Sequence, residues 1–237
     1  MRRWLRLGLC LLLASLAACE PLSPQEQAAL RAGAPGPVSM WVSPHADAGL
    51  SALVPAQPVG PEGFRDDFER AELGPDWLAD SRPFRIEGGQ LVTRSTGNRG
   101  LWLRRPLPRD VRIEFTVRAM GDAADIKVEV FGDGRSAEPT SGYIVIFGGW
   151  GNTLNVIARR DEAGADRVNG PPRPVVAGQT YRMRIERRGR LIEAYVDDVL
   201  MARLDDPNPL QGSRHRFFAF SGWQSELWYD NLVIRPL

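Results

Sequence analysis

The sequence predicts an all-β domain over residues 63–237, built as an antiparallel sandwich of two β-sheets. Apolar and polar residues alternate with a period of two, most clearly over residues 111–118, which is typical of strands that bury one face. Turn signals such as Asp133-Gly134 separate these segments. No stretch of this part keeps the apolar periodicity of a helix. About a dozen short strands joined by tight turns favour two packed sheets.

The individual strands are predicted from the same alternation. It is clearest at residues 111–118, 126–130, 181–186 and 192–196. Further strands are predicted at residues 84–87, 90–95, 100–104, 143–147, 154–159, 200–204, 217–221 and 227–234. The longest predicted loop covers residues 161–174.

The first eighteen residues have the pattern of an export signal. Three arginines precede an apolar stretch at residues 7–13, which is much shorter than the roughly 20 residues of a membrane-spanning helix. The segment ends Leu16-Ala17-Ala18-Cys19, which resembles the lipobox of bacterial lipoproteins. The resemblance implies cleavage before Cys19, a diacylglyceryl thioether on its sulfur and acylation of the new amine. The alternative is an ordinary signal peptide followed by a chance cysteine.

Residues 19–62 are predicted to be a Pro/Ala-rich tether between this anchor and the domain. Eight of the 19 prolines fall between Glu20 and Pro61, and such a composition cannot bury enough apolar surface to fold. Two or more acyl chains hold a protein stably on a bilayer. Glu20 is not the aspartate associated with inner-membrane retention, so the expected location is the outer membrane or cell surface.

Charge and cysteine content narrow the possible functions. Loss of residues 1–18 removes three of 30 basic residues and no acidic one, which leaves 27 against 29. There is no basic excess to bind phosphates, so nucleic acid is not an expected partner. Of the two cysteines, Cys10 leaves with the signal and Cys19 carries the lipid. The folded domain is therefore expected to lack disulfides, thiolate metal sites and a cysteine nucleophile.

Several motifs of the domain resemble a known superfamily. They lie at residues 66–68 (DDF), 73–77 (LGPDW), 84–91 (FRIEGGQL), 178–181 (GQTY), 195–198 (YVDD) and 229–234 (YDNLVI). Their order resembles the concanavalin A-like lectin and glucanase jelly rolls, and is closest to the laminin-G-like and 3-keto-disaccharide hydrolase-like branches. The resemblance implies a jelly-roll sandwich over residues 63–237 and a sugar ligand. These motifs consist of turns and buried aromatics, so they supply no catalytic set.

The paired carboxylates of glucanases are not found in the sequence. Retaining enzymes need an acid and a nucleophile about 5–5.5 Å apart on one strand face. The nearest strand offers Asp125 and Glu129 with Lys127 between them. Glu186 and Glu193 share their strand face with arginines, and cross-strand ion pairs are the simpler interpretation. Catalytic residues are therefore unknown, and enzyme activity is left open with a leaning against it.

Aromatic and polar residues in or beside loops are the candidate carbohydrate-binding set. Indole rings pack on the C–H faces of sugars, while amides and guanidinium groups bond the hydroxyls. The candidates are Trp150, Trp223, Tyr143, Trp102, Arg99, Asn152 and Asn155. The alternative for each aromatic residue is an ordinary core or hairpin position.

A second candidate site joins the two ends of the domain. Asp66 or Asp67 is expected to begin the first strand of the domain and Asp230 lies in the last, and carboxylate oxygens suit calcium. The alternative is that Asp230 satisfies turn and backbone groups. Structural calcium is the only cofactor for which the sequence offers a candidate site.

The sequence thus favours a lipid-anchored protein that presents a carbohydrate-binding sandwich to a poly- or oligosaccharide. Two alternatives stay open. One is a glycoside hydrolase or lyase of the 3-keto-disaccharide hydrolase-like type. The other is a non-catalytic lipoprotein with a structural or protein-interaction role in the envelope.

Overall fold

The structure is a computed structural model that describes residues 55–78, 83–135 and 140–237. The signal, Cys19 and the tether up to residue 54 lie outside the described residues. Within the described part, no helix combines the length and apolar character that crossing a membrane requires.

Fourteen strands form the described domain. They are β1 (Phe64–Asp66), β2 (Phe84–Glu87), β3 (Gln90–Arg94), β4 (Leu101–Trp102), β5 (Val111–Ala119), β6 (Ile126–Gly132), β7 (Tyr143–Gly148), β8 (Leu154–Arg159), β9 (Val168–Asn169), β10 (Thr180–Arg188), β11 (Leu191–Val196), β12 (Val199–Asp205), β13 (Phe217–Ser221) and β14 (Glu226–Pro236). The only helical element among them is a single turn, Gly149–Asn152, between β7 and β8.

The strands form two antiparallel sheets. The eight-stranded sheet has the order β12-β11-β10-β5-β14-β3-β2, with β1 also paired to β14, and the six-stranded sheet has the order β4-β13-β6-β7-β8-β9. The predicted all-β, two-sheet sandwich is confirmed.

The core lies between the two sheets, as the alternation in the sequence predicts. In β5 every second residue from Val111 to Ala119 is buried, and the residues between them are half-buried. Phe115 packs edge-on against Phe220 of the other sheet, with ring centroids 5.4 Å apart. Burying one such large apolar side chain contributes about 1.5–3 kcal/mol, so the facing aromatics hold the sheets together.

Ion pairs cover the outer face of the eight-stranded sheet. Glu186 of β10 accepts from Arg112 at 2.9 Å, from Arg184 at 2.6 Å and from Arg188 at 2.7 Å. Glu193 of β11 pairs with Arg203 of β12 at 2.6 Å. The interpretation of these glutamates as ion-pair partners is confirmed.

The strands run between two ends of the sandwich, which differ in their loops. At one end β5 finishes beside the start of β14, with Ala119 opposite Leu227. We call it the rim end. Its loops are residues 95–100, 120–125, 149–153, 170–179, 197–198 and 222–225.

The opposite end, called the closed end, receives the chain from the tether side. Ala56 N–H donates to Arg104 O at 3.0 Å and Val59 N–H donates to Pro106 O at 3.0 Å. Phe64 of β1 then pairs with Ile234, near the last residues of β14. The first described residues and the rim end therefore lie at opposite ends of the sandwich.

Candidate functional site

Exposed apolar side chains concentrate at the rim end. Seven large apolar residues are exposed in the described part of the chain, and six of them lie in or beside the rim loops. The six are Met120, Trp150, Val176, Val199, Leu200 and Trp223. Trp150 is 40 % and Trp223 is 45 % exposed. Single exposed apolar residues are ordinary, whereas a group of them marks an interaction site.

Backbone and side-chain contacts connect Trp223 to the six-stranded sheet. Gly97 N–H donates to Trp223 O at 3.0 Å, and Asn98 N–H donates to Gly222 O at 2.9 Å. The Asn98 amide oxygen in turn accepts from Lys127 Nζ at 2.7 Å. The loop that carries Trp223 is thereby fixed beside the outer face of β6.

Lys127 is the centre of a polar cluster at this end of β6. Its ammonium group, although only 3 % of the side chain is exposed, donates to Glu162 Oε2 at 2.6 Å and lies 3.6 Å from Asp125 Oδ1. Glu162 belongs to the loop between β8 and β9, so this pair holds that loop over the sheet. Two carboxylates and one amide thus surround a single buried cation.

Trp150 closes the other side of this cluster. The Arg167 guanidinium lies 4.8 Å from the centroid of the Trp150 ring, within cation–π distance. Arg167 Nη1 also donates to the Glu162 carbonyl oxygen at 3.2 Å. A continuous series of contacts therefore runs from Trp223 through Lys127 and Glu162 to Trp150.

A second series of contacts joins the same two tryptophans on the side of the eight-stranded sheet. The Asn152 side chain donates to Val175 O at 2.8 Å and accepts from Val175 N–H at 2.7 Å. Gly178 N–H then donates to Ala119 O at 2.8 Å, and Met120 N–H donates to Glu226 O at 2.9 Å. Since residue 226 directly follows the Trp223 loop, the contacts form a closed ring around the rim end.

The backbone is strained at several points of this ring. Trp150 has a φ of 50° and a ψ of 56°, so the turn that presents it is left-handed. Ala124 and Asp125 also have φ values of 50° and 55°. Such conformations cost about 1–3 kcal/mol each in non-glycine residues, and they occur preferentially at functional sites.

Asp125 also has an unusual electrostatic environment. Its Oδ1 atom is buried and has no hydrogen-bond partner within the described residues. Burial raises the pKa of the Asp125 carboxyl, Lys127 opposes that shift, and Glu162 adds to it. Two further buried hydroxyls near the rim, those of Ser221 and Ser225, lack partners as well. Buried polar atoms without partners are rare, and a ligand or water that reaches them is the usual explanation.

The structure divides the predicted carbohydrate-binding residues into two groups. Trp150, Trp223 and Arg99 are exposed at the rim end, and their contact with a ligand stays a prediction. Tyr143 is fully buried and its hydroxyl donates to Asp206 at 2.7 Å, so it belongs to the core. Trp102 is 1 % exposed and packs with Phe217, so it presents no ring to solvent. Both residues leave the candidate set.

The two predicted asparagines hold the rim loops in place. Asn155 is buried, accepts from Gly148 N–H at 3.0 Å and donates to Pro171 O at 2.9 Å. Asn152 bonds Val175 with both ends of its amide, as described above. Their amide groups are occupied by the protein, so they support Trp150 rather than contact a sugar.

The predicted calcium site has a different arrangement from the expected one. The Asp66 carboxylate accepts from Phe68 N–H at 2.9 Å, from Arg70 at 2.5 and 2.8 Å and from Trp77 Nε1 at 2.8 Å. Asp230 accepts from the Gln90 side chain at 3.2 Å. No group of three or more possible metal ligands occurs within the described residues.

A cleft of about 510 Å³ lies beside these residues and is lined by Asp66, Asp67 and Asn231. Because donors already surround the Asp66 carboxylate, its oxygens are not free for a cation. Calcium at Asp66, Asp67 and Asp230 stays a prediction.

Sequence reasoning did not identify Lys127, Glu162, Arg167, Met120 and Val176 as parts of one site. One signal was available for Lys127, which is the only lysine of the chain and lies at the start of a predicted strand, between two apolar residues. Glu162 and Arg167 come from a loop whose path across the sheet is a non-local feature, and no local pattern indicates it.

Known structures of the same architecture share little sequence with this chain. A carbohydrate-binding module, CBM66 from Bacillus subtilis, matches with a TM-score of 0.55 and 14% identity over 69% of this chain and 98% of its own. The laminarinase catalytic domain from Thermotoga maritima matches with a TM-score of 0.51 and 12% identity over 73% of this chain and 97% of its own.

The carbohydrate recognition domain of Emp47p matches with a TM-score of 0.51 and 13% identity over 72% of this chain and 93% of its own. No protein-family model and no curated protein matches the chain. At these identities the similarities establish the fold alone, and the predicted jelly-roll β-sandwich is confirmed.

Proposed function

We propose that the protein is a membrane-anchored lipoprotein that binds carbohydrate at the rim end of its sandwich. The observation that carries the proposal is the ring of contacts that joins the loops of two exposed tryptophans and includes a polar cluster at Lys127. Solved structures with this fold include a carbohydrate-binding module and a carbohydrate recognition domain, which supports the same class of ligand.

The chemistry of the ring suits a sugar. Arg167 covers one face of the Trp150 ring, which leaves the other face for the C–H surface of a pyranose. Asn98, Asp125 and Glu162 lie along the series of contacts that joins the two tryptophan loops, and their side-chain oxygens have lone pairs beyond those directed at Lys127 that can accept from hydroxyl groups. A sugar has both hydroxyl groups and an apolar C–H face, so its binding site needs aromatic rings together with polar side chains.

The position of the rim agrees with an anchored protein. The described chain begins at the closed end, so a lipid on Cys19 and a tether over residues 19–62 would direct the rim away from the membrane. We expect Cys19→Ala to move the protein from the membrane fraction to the soluble fraction, or to leave the signal uncleaved. Wild-type protein found wholly in a soluble fraction would contradict the anchor and leave the rim proposal untouched.

Substitution of the two tryptophans tests the binding site. We expect Trp150→Ala and Trp223→Ala each to weaken glycan binding by about 5- to 150-fold, since loss of one stacking ring costs about 1–3 kcal/mol. The melting temperature should change little because both rings are exposed. Affinity is measured by calorimetry on a ligand first found with a glycan array.

Two matched controls separate binding from stability. Leu237→Ala removes an exposed apolar side chain at the closed end and should leave binding unchanged. Trp102→Ala removes a buried ring and should destabilise the domain by about 3–5 kcal/mol. Unchanged affinity in both rim variants would refute the site. Cleavage of the bound glycan during incubation would favour the hydrolase or lyase alternative, and no binding across the array would favour a structural envelope role.

A further inference from the structure

Each exposed tryptophan of the rim has an exposed aliphatic neighbour. Val176, 56 % exposed, directly follows Val175, which the Asn152 side chain bonds twice beside the Trp150 turn. Met120, 45 % exposed, donates its N–H to Glu226, at the end of the Trp223 loop. The backbone segments that carry the two aliphatic residues are also linked, since Gly178 N–H donates to Ala119 O at 2.8 Å.

These two side chains are held in place without being part of the core. Val176 N–H donates to the Tyr181 hydroxyl at 2.8 Å, so its backbone position is fixed. Neither Val176 nor Met120 belongs to the buried apolar clusters within the described residues. Their isopropyl and thioether groups thus remain exposed to solvent at the rim end.

Resting on the proposed function, we propose that the rim selects sugars that carry a methyl group, such as 6-deoxyhexoses and acetylated residues. The indoles stack on pyranose C–H faces, and Asn98, Asp125 and Glu162 bond hydroxyls. These contacts would bind any hexose and do not distinguish one hexose from another. A hydroxyl placed against Met120 or Val176 would lose water without gaining a partner. A methyl group in the same place removes apolar surface from water on both sides.

The expected preference follows from the size of that group. Burial of one methyl or methylene group changes affinity by about fourfold. A ligand with one methyl against Met120 or Val176 should therefore bind about fourfold more tightly than the matched sugar with a hydroxyl there. Contact with both side chains should multiply the two preferences.

The test compares matched pairs of ligands on the intact domain. The pairs are 6-deoxyhexosides with their parent hexosides, and an O-acetylated polysaccharide with its deacetylated form. Wild-type protein should prefer the methyl-bearing member by about fourfold or more. Met120→Ser and Val176→Ser should bring the ratio of affinities towards one, whereas Leu237→Ser, an equally exposed residue at the closed end, should leave the ratio unchanged.

The outcomes separate this inference from the proposed function. Equal affinity of wild-type protein for both members of every pair would overturn methyl selection while carbohydrate binding at the rim stood. A ratio that persists in the double variant Met120→Ser/Val176→Ser would overturn the assignment to these side chains. Absence of binding to any member would remove the proposed function, and this inference with it.

Discussion

The rim end and the closed end terminate the same strands, yet they expose different surfaces. Six of the seven exposed large apolar residues of the described chain lie at the rim end, and the seventh, Leu237, lies at the closed end. Of the twelve non-glycine residues with positive φ in the described ranges, eight also lie at the rim end. These are Ser95, Asn98, Ala124, Asp125, Trp150, Asn152, Asp197 and Asp198.

A buried network, in contrast, joins the loops of the closed end. The Tyr143 hydroxyl donates to Asp206 Oδ2 at 2.7 Å and accepts from Leu210 N–H at 2.9 Å. Arg159 Nε donates to the same carboxylate oxygen at 2.9 Å. The Arg187 guanidinium lies 4.1 Å from the centroid of the Phe131 ring and caps the core beside Tyr143.

The difference shows how the two ends of one sandwich can have separate roles, one in stability and the other in binding. The hydrogen bonds around Tyr143 and Asp206, over buried aromatics, stabilise the fold, whereas exposed indoles and strained turns cost stability and provide a ligand surface. The closed end is also where the described chain begins. The comparison predicts that substitutions at the closed end change melting and that substitutions at the rim change binding.

The largest expected effect is that of Asp206→Ala at the closed end. Burial alone would raise the pKa of this carboxyl, but hydrogen bonds from Tyr143, Asn208 N–H and Arg159 lower the pKa below its usual range. Removal of the carboxylate leaves the buried Tyr143 hydroxyl without its acceptor and should destabilise the domain by about 3 kcal/mol at neutral pH. Glycan affinity below the melting temperature should stay unchanged.

Asp205→Ala is the matched control for that variant. Asp205 directly precedes Asp206 and also pairs with an arginine, Arg190, but both partners are exposed. Its loss should leave the melting temperature unchanged, because exposed pairs contribute little.

The lowered pKa of Asp206 also predicts how the effect of Asp206→Ala on stability depends on pH. Its contribution to stability is present at neutral pH and is lost as the pH falls through that pKa, so the two variants should converge in acid. Equal melting of both variants at neutral pH would contradict the division between the ends.

Much of the fold could be predicted from local patterns, because the alternation of apolar and polar residues shows which face of each strand is buried. The strand predicted at residues 111–118 is β5, and the segment at residues 227–234 lies within β14. Trp77, the aromatic residue of the motif at residues 73–77, is buried as that motif implies and donates its indole N–H to Asp66. These outcomes depend on burial and on contacts close in sequence, which a single sequence reveals.

The candidate site was predicted only in part, because its composition depends on which loops meet. Trp150 and Trp223 were identified by their positions in predicted loops, and both are exposed. Tyr143 and Asn155 have polar groups of the expected kind, but the fold uses them internally. Lys127 and Glu162 are 35 positions apart and meet only because the loop after β8 crosses the sheet.

The smallest expected effect concerns Glu129, an incompletely satisfied group of the closed end. Its Oε1 atom accepts from Ser141 N–H at 3.0 Å, from the Ser141 hydroxyl at 2.8 Å and from Gly142 N–H, while Oε2 has no partner within the described residues. Burial raises the pKa of this carboxyl to about 8, against hydrogen bonds that lower it. The folded protein therefore holds a proton that the unfolded chain releases above a pKa of about 4.5.

Glu129→Gln should make stability less dependent on pH. Between those two pKa values the folded state binds more protons than the unfolded state, so this group lowers the free energy of unfolding as pH rises, by up to about 1.4 kcal/mol per pH unit. Glutamine keeps the Oε1 acceptor and cannot ionise. The free energy of unfolding of the variant in urea should therefore fall less than that of the wild-type protein between pH 5.5 and about 7.5. Glu87→Gln, at an exposed ion pair, controls for the loss of one carboxylate. If the unfolding free energy of Glu129→Gln changed with pH as steeply as that of the wild-type protein, Glu129 would have to be ionised at neutral pH. The closed end would then tolerate a buried charge.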